Sequence, residues 1–214
     1  MITVVGNLKG GSGKSTVAFN LAVWLARHNH QVTVFDLDPQ QTLTDVAEVR
    51  VEEGITPQFL LHHGGEAQLE VIQATEGEVV VDIGTADMKA MRGALALAQR
   101  IVIPVAPSQA DVWSTQRFLS IIAKIFADSD YPEVLAFVNR ADTHQAIRES
   151  DEAEAALESL EGVQVIKSRL HQRTAYRRSF SEGHGVFEVD SGSKAASEFR
   201  AFVAHLYPQF AENT

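Results

Sequence analysis

The chain has 214 residues, of which 45% are hydrophobic, and its formal net charge at pH 7 is −10. This length predicts a single domain, residues 1–214, and the absence of cysteine excludes disulfides, iron–sulfur clusters and thiolate zinc sites. No apolar run approaches the roughly 18 residues of a membrane span, and a strand pattern begins at Ile2 without room for a targeting peptide, so we expect a cytoplasmic protein.

Strand-like and helix-like segments alternate along the chain. Short, continuously apolar runs are typical of strands buried on both faces, and they occur at Ile2–Val5, Gln31–Asp36, Glu78–Asp82, Arg100–Val105, Val134–Asn139 and Val163–Ile166. A further strand around Ile55–Leu61, if it forms, is expected at a sheet edge because Pro57 cannot donate a ladder hydrogen bond. Helical patterns occur at Lys14–His28, Leu43–Glu53, Ala67–Thr75, Met88–Leu97, Asp111–Ala127, Ala146–Leu160, Gln172–Glu182 and Gly192–Leu206. The alternation predicts an α/β fold: a doubly wound, mostly parallel sheet with helices on both faces.

The segment VVGNLKGGSGKST, from Val4 to Thr16, joins a strand to a helix through a glycine-rich turn. Backbone N–H groups can point inward at glycines, and the N-terminus of the following helix adds positive potential, so the segment predicts a phosphate-binding loop. A tight turn that binds nothing is the weaker alternative, because Gly-Lys-Ser stands at a strand–helix junction. The loop residues are Gly10, Gly11, Ser12, Gly13, Lys14, Ser15 and Thr16, with Lys14 expected at the β- and γ-phosphates and the Ser15 hydroxyl at Mg²⁺.

The loop departs from the plain spacing G-x-x-x-x-G-K-[ST]. Leu8 stands at the position of the first glycine, and a second lysine, Lys9, lies five residues before Lys14. The resulting Lys-Gly-Gly-x-Gly-Lys-Ser-Thr resembles the deviant Walker A motif of the ParA/MinD family of ATPases. The resemblance implies a P-loop ATPase that takes ATP and Mg²⁺. It also implies that Lys9 reaches across a homodimer to the nucleotide of the partner.

Ligands of open parallel sheets bind at the carboxyl ends of the strands, and three aspartates lie there: Asp36, Asp38 and Asp82. One carboxylate of the first two could serve Mg²⁺ while the other positions the attacking water, or both could cap the following helix. The sequence Asp-Leu-Asp-Pro-Gln is similar to the second motif of the ParA/MinD family, which implies a hydrolytic role for Asp38 and a metal-side role for Asp36. Asp82 resembles a Walker B acid that holds Mg²⁺ through water. Gly84 would act as a backbone switch, although the family often has proline near this point.

Two segments follow later strands. Trp113, just after a Pro-Ser-x-x-Asp segment similar to that of small ParA-like proteins, is expected to pack rather than to act in a site. Asn139 and Arg140 look like the adenine-side turn of the family, where an asparagine side chain offers the base a donor and an acceptor. The alternative for Asn139 is a side chain that caps a turn.

The charge is unevenly distributed, since residues 1–163 carry 11 Lys/Arg and 23 Asp/Glu, whereas residues 164–214 carry 7 and 5. Four arginines follow the last predicted strand: Arg169, Arg173, Arg177 and Arg178. In the predicted helix, Arg173 and Arg177 would share one face. These arginines either pair with acidic neighbours or contact phosphates. The family resemblance implies the second, with an ATP-bound dimer that binds DNA without sequence preference.

The resemblance as a whole implies a ParA-like ATPase that partitions or positions a cargo on the nucleoid, such as a plasmid, a chromosome or a protein assembly. Its hydrolysis would be slow and stimulated by a ParB-like adaptor. Site-specific DNA binding is not expected, because no helix-turn-helix precedes Ile2. Two alternatives stay open. A MinD-like membrane-positioning ATPase is disfavoured, and no membrane partner is expected, because Ala195–Phe210 lacks a lysine-rich amphipathic face. An ATP-dependent ligase of the dethiobiotin-synthetase type would need a substrate pocket for which no motif is present.

Overall fold

The computed structural model describes residues 1–28, 30–144 and 148–208, and the seven strands within these ranges form one sheet in which all neighbouring pairs are parallel. They are β1 (Ile2–Val5), β2 (Val32–Asp36), β3 (Leu60–His63), β4 (Glu78–Asp82), β5 (Arg100–Val105), β6 (Glu133–Ala141) and β7 (Gln164–His171). Their order across the sheet is β3-β2-β4-β1-β5-β6-β7. Strands β2 and β5 are buried at every residue, as expected of strands covered on both faces.

Helices cover both faces of this sheet. They are α1 (Lys14–Arg27), α2 (Thr42–Glu52), α3 (Leu69–Ala74), α4 (Met88–Leu97), α5 (Gln109–Ile125), α6 (Glu149–Glu158), α7 (Thr174–Ser181), α8 (Val186–Val189) and α9 (Lys194–Leu206), with a 3₁₀ turn at Glu66–Gln68. A first core, containing Phe19 and Phe199, lies between the sheet and α1, α2 and α7–α9. A second core, containing Phe118 and Leu157, lies between the sheet and α3–α6. The predicted α/β fold with helices on both faces is therefore confirmed. Among the described residues, no helix has the length and apolar character needed to cross a membrane.

The sheet register brings the predicted site residues together. Val5, the last residue of β1, pairs with Asp82 of β4 on one side and with Val102 of β5 on the other. Asp82 in turn pairs with Asp36 of β2. Because all these strands are parallel, their carboxyl ends meet at one edge of the sheet, where the loop after Val5 begins. This edge is where ligands of such sheets bind.

The two edge strands differ from their predicted bounds. Strand β3 occupies Leu60–His63 rather than residues 55–61, although it lies at the predicted sheet edge beside β2. Strand β7 extends beyond the predicted end at Ile166 to His171. Strand β3 is exposed or half-buried at every residue, and β7 mixes exposed and buried residues, so neither appears as one continuous apolar run. As a result, Arg169 lies on a strand.

Three further predictions concern α6, the C-terminal segment and Trp113. Helix α6 begins at Glu149, and its predicted start, Ala146, lies outside the described residues. Phe210, the end of the segment considered for lipid binding, lies outside them as well. The prediction that Trp113 packs in the interior is wrong, because this side chain is 56% exposed on the outer face of α5. Its neighbours in the helix, Val112 and Ser114, turn inward instead.

Candidate functional site

The loop between β1 and α1 has the shape of a phosphate cradle. It turns through two glycines with left-handed backbone conformations, Gly11 (φ 75°) and Gly13 (φ 93°), which other residues adopt only with strain. Gly10 and Gly11 are exposed, and no atom lies within 4 Å of the position that a Cβ would take at either. No described side chain caps α1, and its first turn contains no acid. The first N–H groups of α1 are therefore directed toward an open, positively polarised concavity.

Two buried asparagines hold this loop in place. Asn7 donates from Nδ2 to the Pro104 carbonyl at 2.9 Å, and its Oδ1 accepts from the Lys9 N–H at 3.1 Å. Asn139 donates from Nδ2 to the Ser12 carbonyl at 2.7 Å. Asn7 was missed in the sequence, where the only signal was a polar side chain soon after a strand. One amide hydrogen of Asn139 is engaged by the loop, and its predicted contact with adenine stays a prediction.

The two lysines of the loop have different surroundings. Lys14 is 7% exposed, and its ammonium lies 3.4 Å from the Lys9 carbonyl, so it is held over its own loop. The Lys9 side chain is exposed and forms no hydrogen bond or ion pair with any described residue. The Lys9 backbone is fixed through its N–H and carbonyl, whereas its side chain is held by no described residue. The predicted role of Lys9 in trans stays a prediction.

Asp36 and Asp38 are positioned by the loop that leads into α2. Asp36 is fully buried, and its Oδ2 accepts from the Thr44 N–H and hydroxyl, both at 2.9 Å, while its Oδ1 accepts from the Asp38 N–H at 3.1 Å. Burial raises the pKa of Asp36, and the Thr44 bonds oppose that rise. Asp38 is half-buried and lies against Gly84, where a Cβ would be 2.5 Å from the Asp38 Cγ. The close approach explains why glycine stands at position 84.

Asp82 is the carboxylate that most clearly lacks a partner. It is fully buried, and neither oxygen accepts a hydrogen bond from a described residue. Burial raises its pKa to about 7; the Ser15 hydroxyl and the Lys14 ammonium nearby oppose the rise, and the Asp36 carboxylate adds to it. A buried carboxylate that is so weakly compensated by its neighbours is stabilised well by a divalent cation. Ser15 and Asp82 therefore fit the predicted Mg²⁺ site, whereas the oxygens of Asp36 are already hydrogen-bonded.

A cavity of about 410 Å³ opens beside the phosphate loop. Its walls come from the start of α1, the end of β6, the loop after β7 and helix α7, and they include Thr16, Asn139, Arg140, Arg173 and Arg177. Arg140 is exposed and has a left-handed backbone (φ 56°). The volume lies in the range of small-ligand pockets. Its position, continuous with the phosphate cradle, suits the nucleoside part of a nucleotide.

Two of the four predicted DNA-contacting arginines are bound to acids on neighbouring helices. Arg169, on β7, donates to Glu154 at 2.7 Å and to Asp151 at 2.6 Å. Arg173 donates to both oxygens of Glu198, at distances from 2.5 to 3.1 Å. These side chains are only 25% and 23% exposed. Of the two roles considered from the sequence, pairing with acidic neighbours or contact with phosphates, the structure shows the first at Arg169 and Arg173.

The other two arginines lie on α7. Arg178 is 72% exposed and pairs with Glu182 at 3.1 Å, an interaction that is weak at such exposure. Arg177 is exposed and forms no ion pair with a described residue. Arg173 precedes the first turn of α7, so the prediction that it shares a helix face with Arg177 is wrong. Both nevertheless line the cavity described above.

The chain is similar to known proteins along nearly its whole length. It is 26% identical over 209 residues to the maintenance of carboxysome distribution protein A of Halothiobacillus neapolitanus, covering 95% of each chain. It is 29% identical over 218 residues to the protein ParA of Rhizobium radiobacter, covering 99% of this chain and 98% of that one. The structure of apo McdA from Cyanothece superposes with a TM-score of 0.76 at 17% identity, covering 95% and 98% of the two chains. Residues 3–186 match the CobQ/CobB/MinD/ParA nucleotide binding domain, and the chain belongs to this family.

Proposed function

We propose that this chain is a ParA-like ATPase that binds ATP with Mg²⁺, dimerises on it and partitions or positions a cargo on DNA. The observation that carries the proposal is the phosphate loop itself, with one lysine held over the cradle and a second exposed, beside the buried carboxylate of Asp82. Both curated relatives support it, since one is named for carboxysome distribution and the other is a ParA. The proposal treats residues 1–214 as one P-loop ATPase domain.

Nucleotide binding follows from the loop. The N-terminus of α1 and the Lys14 ammonium supply positive charge where the β- and γ-phosphates would lie. Ser15 and Asp82 would hold Mg²⁺. Asp36 would lie on the metal side of the site and act on the ion indirectly, through neighbouring groups. The bound cation would neutralise phosphate oxygens, as it does in other P-loop enzymes. The cavity beside Asn139 and Arg140 would take the nucleoside.

Hydrolysis needs an oriented water and little else from the protein. The Asp38 carboxylate lies at the same sheet edge as the cradle, accepts a hydrogen bond from the Gln40 N–H at 3.0 Å and rests against Gly84. These contacts fix its orientation but leave its second oxygen for a water. A substitution at Gly84 would displace it, so Gly84 and Asp38 act as one unit. We assign the water-orienting role to Asp38.

Dimerisation on ATP is proposed from Lys9. Its backbone is tied to Asn7 and Lys14, its side chain is exposed, and Lys14 already supplies the ammonium over its own cradle. A second copy facing the loop would receive it at the γ-phosphate. In this reading, non-specific DNA binding, stimulation by a ParB-like adaptor and a cytoplasmic, nucleoid-associated location follow from the ParA-like role. The predicted DNA contacts at Arg169, Arg173, Arg177 and Arg178 remain proposals, and Arg177 is the one of these four that forms no ion pair with a described residue.

The test compares nucleotide states of the full chain. Anisotropy of a fluorescein-labelled duplex should rise on addition of the protein with ATP and Mg²⁺, but not with ADP, and should depend little on duplex sequence. Lys14→Ala is the control, since it removes the charge over the cradle. A MinD-like role would instead give ATP-dependent binding to anionic phospholipid vesicles and none to DNA. A ligase would give ATP turnover that depends on a small-molecule acceptor. Either result would overturn the proposal.

A further inference from the structure

Helix α5, described along its whole length, presents an outer face that carries cations and a tryptophan. Trp113, Arg117, Ser120 and Lys124 are all exposed, and their spacing of four, three and four residues places them on one stripe of the helix. The single acid of α5, Asp111, is 6% exposed and accepts a hydrogen bond from the Ser108 hydroxyl. The stripe is therefore positive, with no exposed acid on the same helix.

The neighbouring helix adds to this face. Helix α4 packs beside α5 over the second core, and its Arg92 is exposed. Among the described residues, Arg92, Arg117 and Lys124 have no hydrogen-bond or ion-pair partner. Cations of an acidic protein usually find acidic partners, as Arg169 does here. Arg92, Arg117 and Lys124 are thus three cations, unpaired by any described residue, on adjacent helices of a chain whose net charge is −10.

This face is separate from the arginines predicted to contact DNA. Helix α7, which carries Arg177 and Arg178, covers the first core on the opposite side of the sheet. Of the four arginines predicted, three are paired with carboxylates. A phosphate would have to compete with those carboxylates, whereas the cations on α4 and α5 need break no such contact.

We propose that the outer face of α5, with Arg92 of α4, is a contact surface for duplex DNA. Arg92, Arg117 and Lys124 would bind backbone phosphates, and the Trp113 indole N–H would donate to a phosphate while its ring packs on the adjacent sugar. Arg117 and Lys124 lie about 10 Å apart along the helix axis, a distance over which a duplex presents several charges. The inference rests on the proposed DNA binding and names the surface that performs it.

A duplex fits this surface better than a lipid bilayer does. Phe118 and Ile122 of α5 are fully buried, and Ile121 and Ile125 are half-buried against the second core, so the helix has no broad apolar face to insert between lipids. Trp113 is the one large apolar residue that α5 exposes strongly. A rigid row of cations with hydrogen-bond donors suits a phosphate backbone, and it reads no bases.

The experiment measures DNA affinity of the ATP-bound full chain against salt concentration. Arg117→Ala/Lys124→Ala should lower the slope of log affinity against log salt by about two per subunit, because each lost phosphate contact removes about one. Lys194→Ala/Arg200→Ala is the matched control, since both cations lie on α9, which covers the first core on the opposite side of the sheet, and it should leave the slope nearly unchanged. ATP affinity checks that the variants are folded.

Tryptophan emission gives an independent readout. The chain has two tryptophans, and Trp24 is 7% exposed whereas Trp113 is 56% exposed. DNA should therefore quench the emission of the unmodified protein and leave that of Trp113→Phe unchanged. Unquenched emission at saturating DNA, or an unaltered salt slope in Arg117→Ala/Lys124→Ala, would overturn the inference. If DNA binding is lost instead in Arg173→Ala/Arg177→Ala, the surface is on α7 and the proposed function stands. If the unmodified ATP-bound protein binds no DNA, the proposed function falls with the inference.

Discussion

Replacing Arg50 with methionine tests how α2, the helix that follows the proposed hydrolytic loop, is anchored. Arg50 is only 1% exposed, although nothing in its sequence context distinguishes it from a solvated helix residue. Its guanidinium donates to both carboxylate oxygens of Glu188, at 2.7 and 3.0 Å, to the Gly183 carbonyl at 2.9 Å and to the Pro57 carbonyl at 2.8 Å from Nη2. These bonds tie α2 to the turn between α7 and α8, to α8 itself and to the segment that precedes β3.

The expected cost follows from what the substitution leaves behind. Methionine matches much of the arginine stem, but Glu188, at 5% exposure, would lose its main partner. Removing one member of a buried ion pair costs about 3–5 kcal/mol. Arg27, 3.2 Å from Glu188 and 48% exposed, and the Gly185 N–H remain as partners. We therefore expect a loss at the lower end, about 3 kcal/mol in the free energy of unfolding.

Urea denaturation followed by circular dichroism measures this loss. The double variant Arg50→Met/Glu188→Leu should be less destabilised than Arg50→Met alone, because it leaves no buried carboxylate unpaired. Burial would raise the pKa of Glu188, but the bonds from Arg50 and the Gly185 N–H outweigh it and lower the pKa below 4.5. The pair therefore stabilises the fold above about pH 4.5 and loses that contribution as the pH falls through the lowered value.

The difference between the unmodified protein and Arg50→Met should accordingly be largest near neutral pH and shrink in acid. A loss smaller than about 1 kcal/mol at pH 7 would refute the reasoning, since that is the range of a surface pair. A difference that stays constant down to pH 3 would refute it as well, because the ionised Glu188 would then contribute nothing.

Four further substitutions test the nucleotide site. Lys14→Ala should weaken ATP binding roughly 100-fold in calorimetry, since a charge-assisted contact of about 3 kcal/mol is lost; undiminished affinity would contradict the site. Asp38→Ala should still bind ATP and dimerise, while ATP turnover falls about 100-fold, the usual contribution of one positioned acid or base. A normal turnover rate would mean that Asp38 only caps the following helix. Lys9→Ala should bind ATP but stay monomeric in light scattering, and normal dimerisation would remove the role in trans. Asp82→Asn should weaken ATP binding in the presence of Mg²⁺ more than in EDTA, and equal effects would place the cation elsewhere.

The phosphate loop could be predicted from the sequence because its chemistry is local. Glycines at positions 11 and 13 permit the left-handed turns, and Lys14 and Ser15 follow at once on the helix that the loop begins. The placement of Asp36 and Asp82 was predictable for a related reason. Each ends an apolar strand, and parallel strands align their carboxyl ends, so residues far apart in sequence meet at a known edge.

The partners of charged side chains were decided by the tertiary structure alone. Arg50 is buried because Glu188, from a helix more than 100 residues later, approaches it, and Arg173 is neutralised by Glu198 of α9. Neither contact has a local signal, since an ion pair depends on where two elements pack and not on the residues beside each charge. Trp113 is exposed for the same reason, because the sheet covers only one side of α5. Sequence determined which groups could bind phosphate, and packing determined which cations remain available to bind anything else.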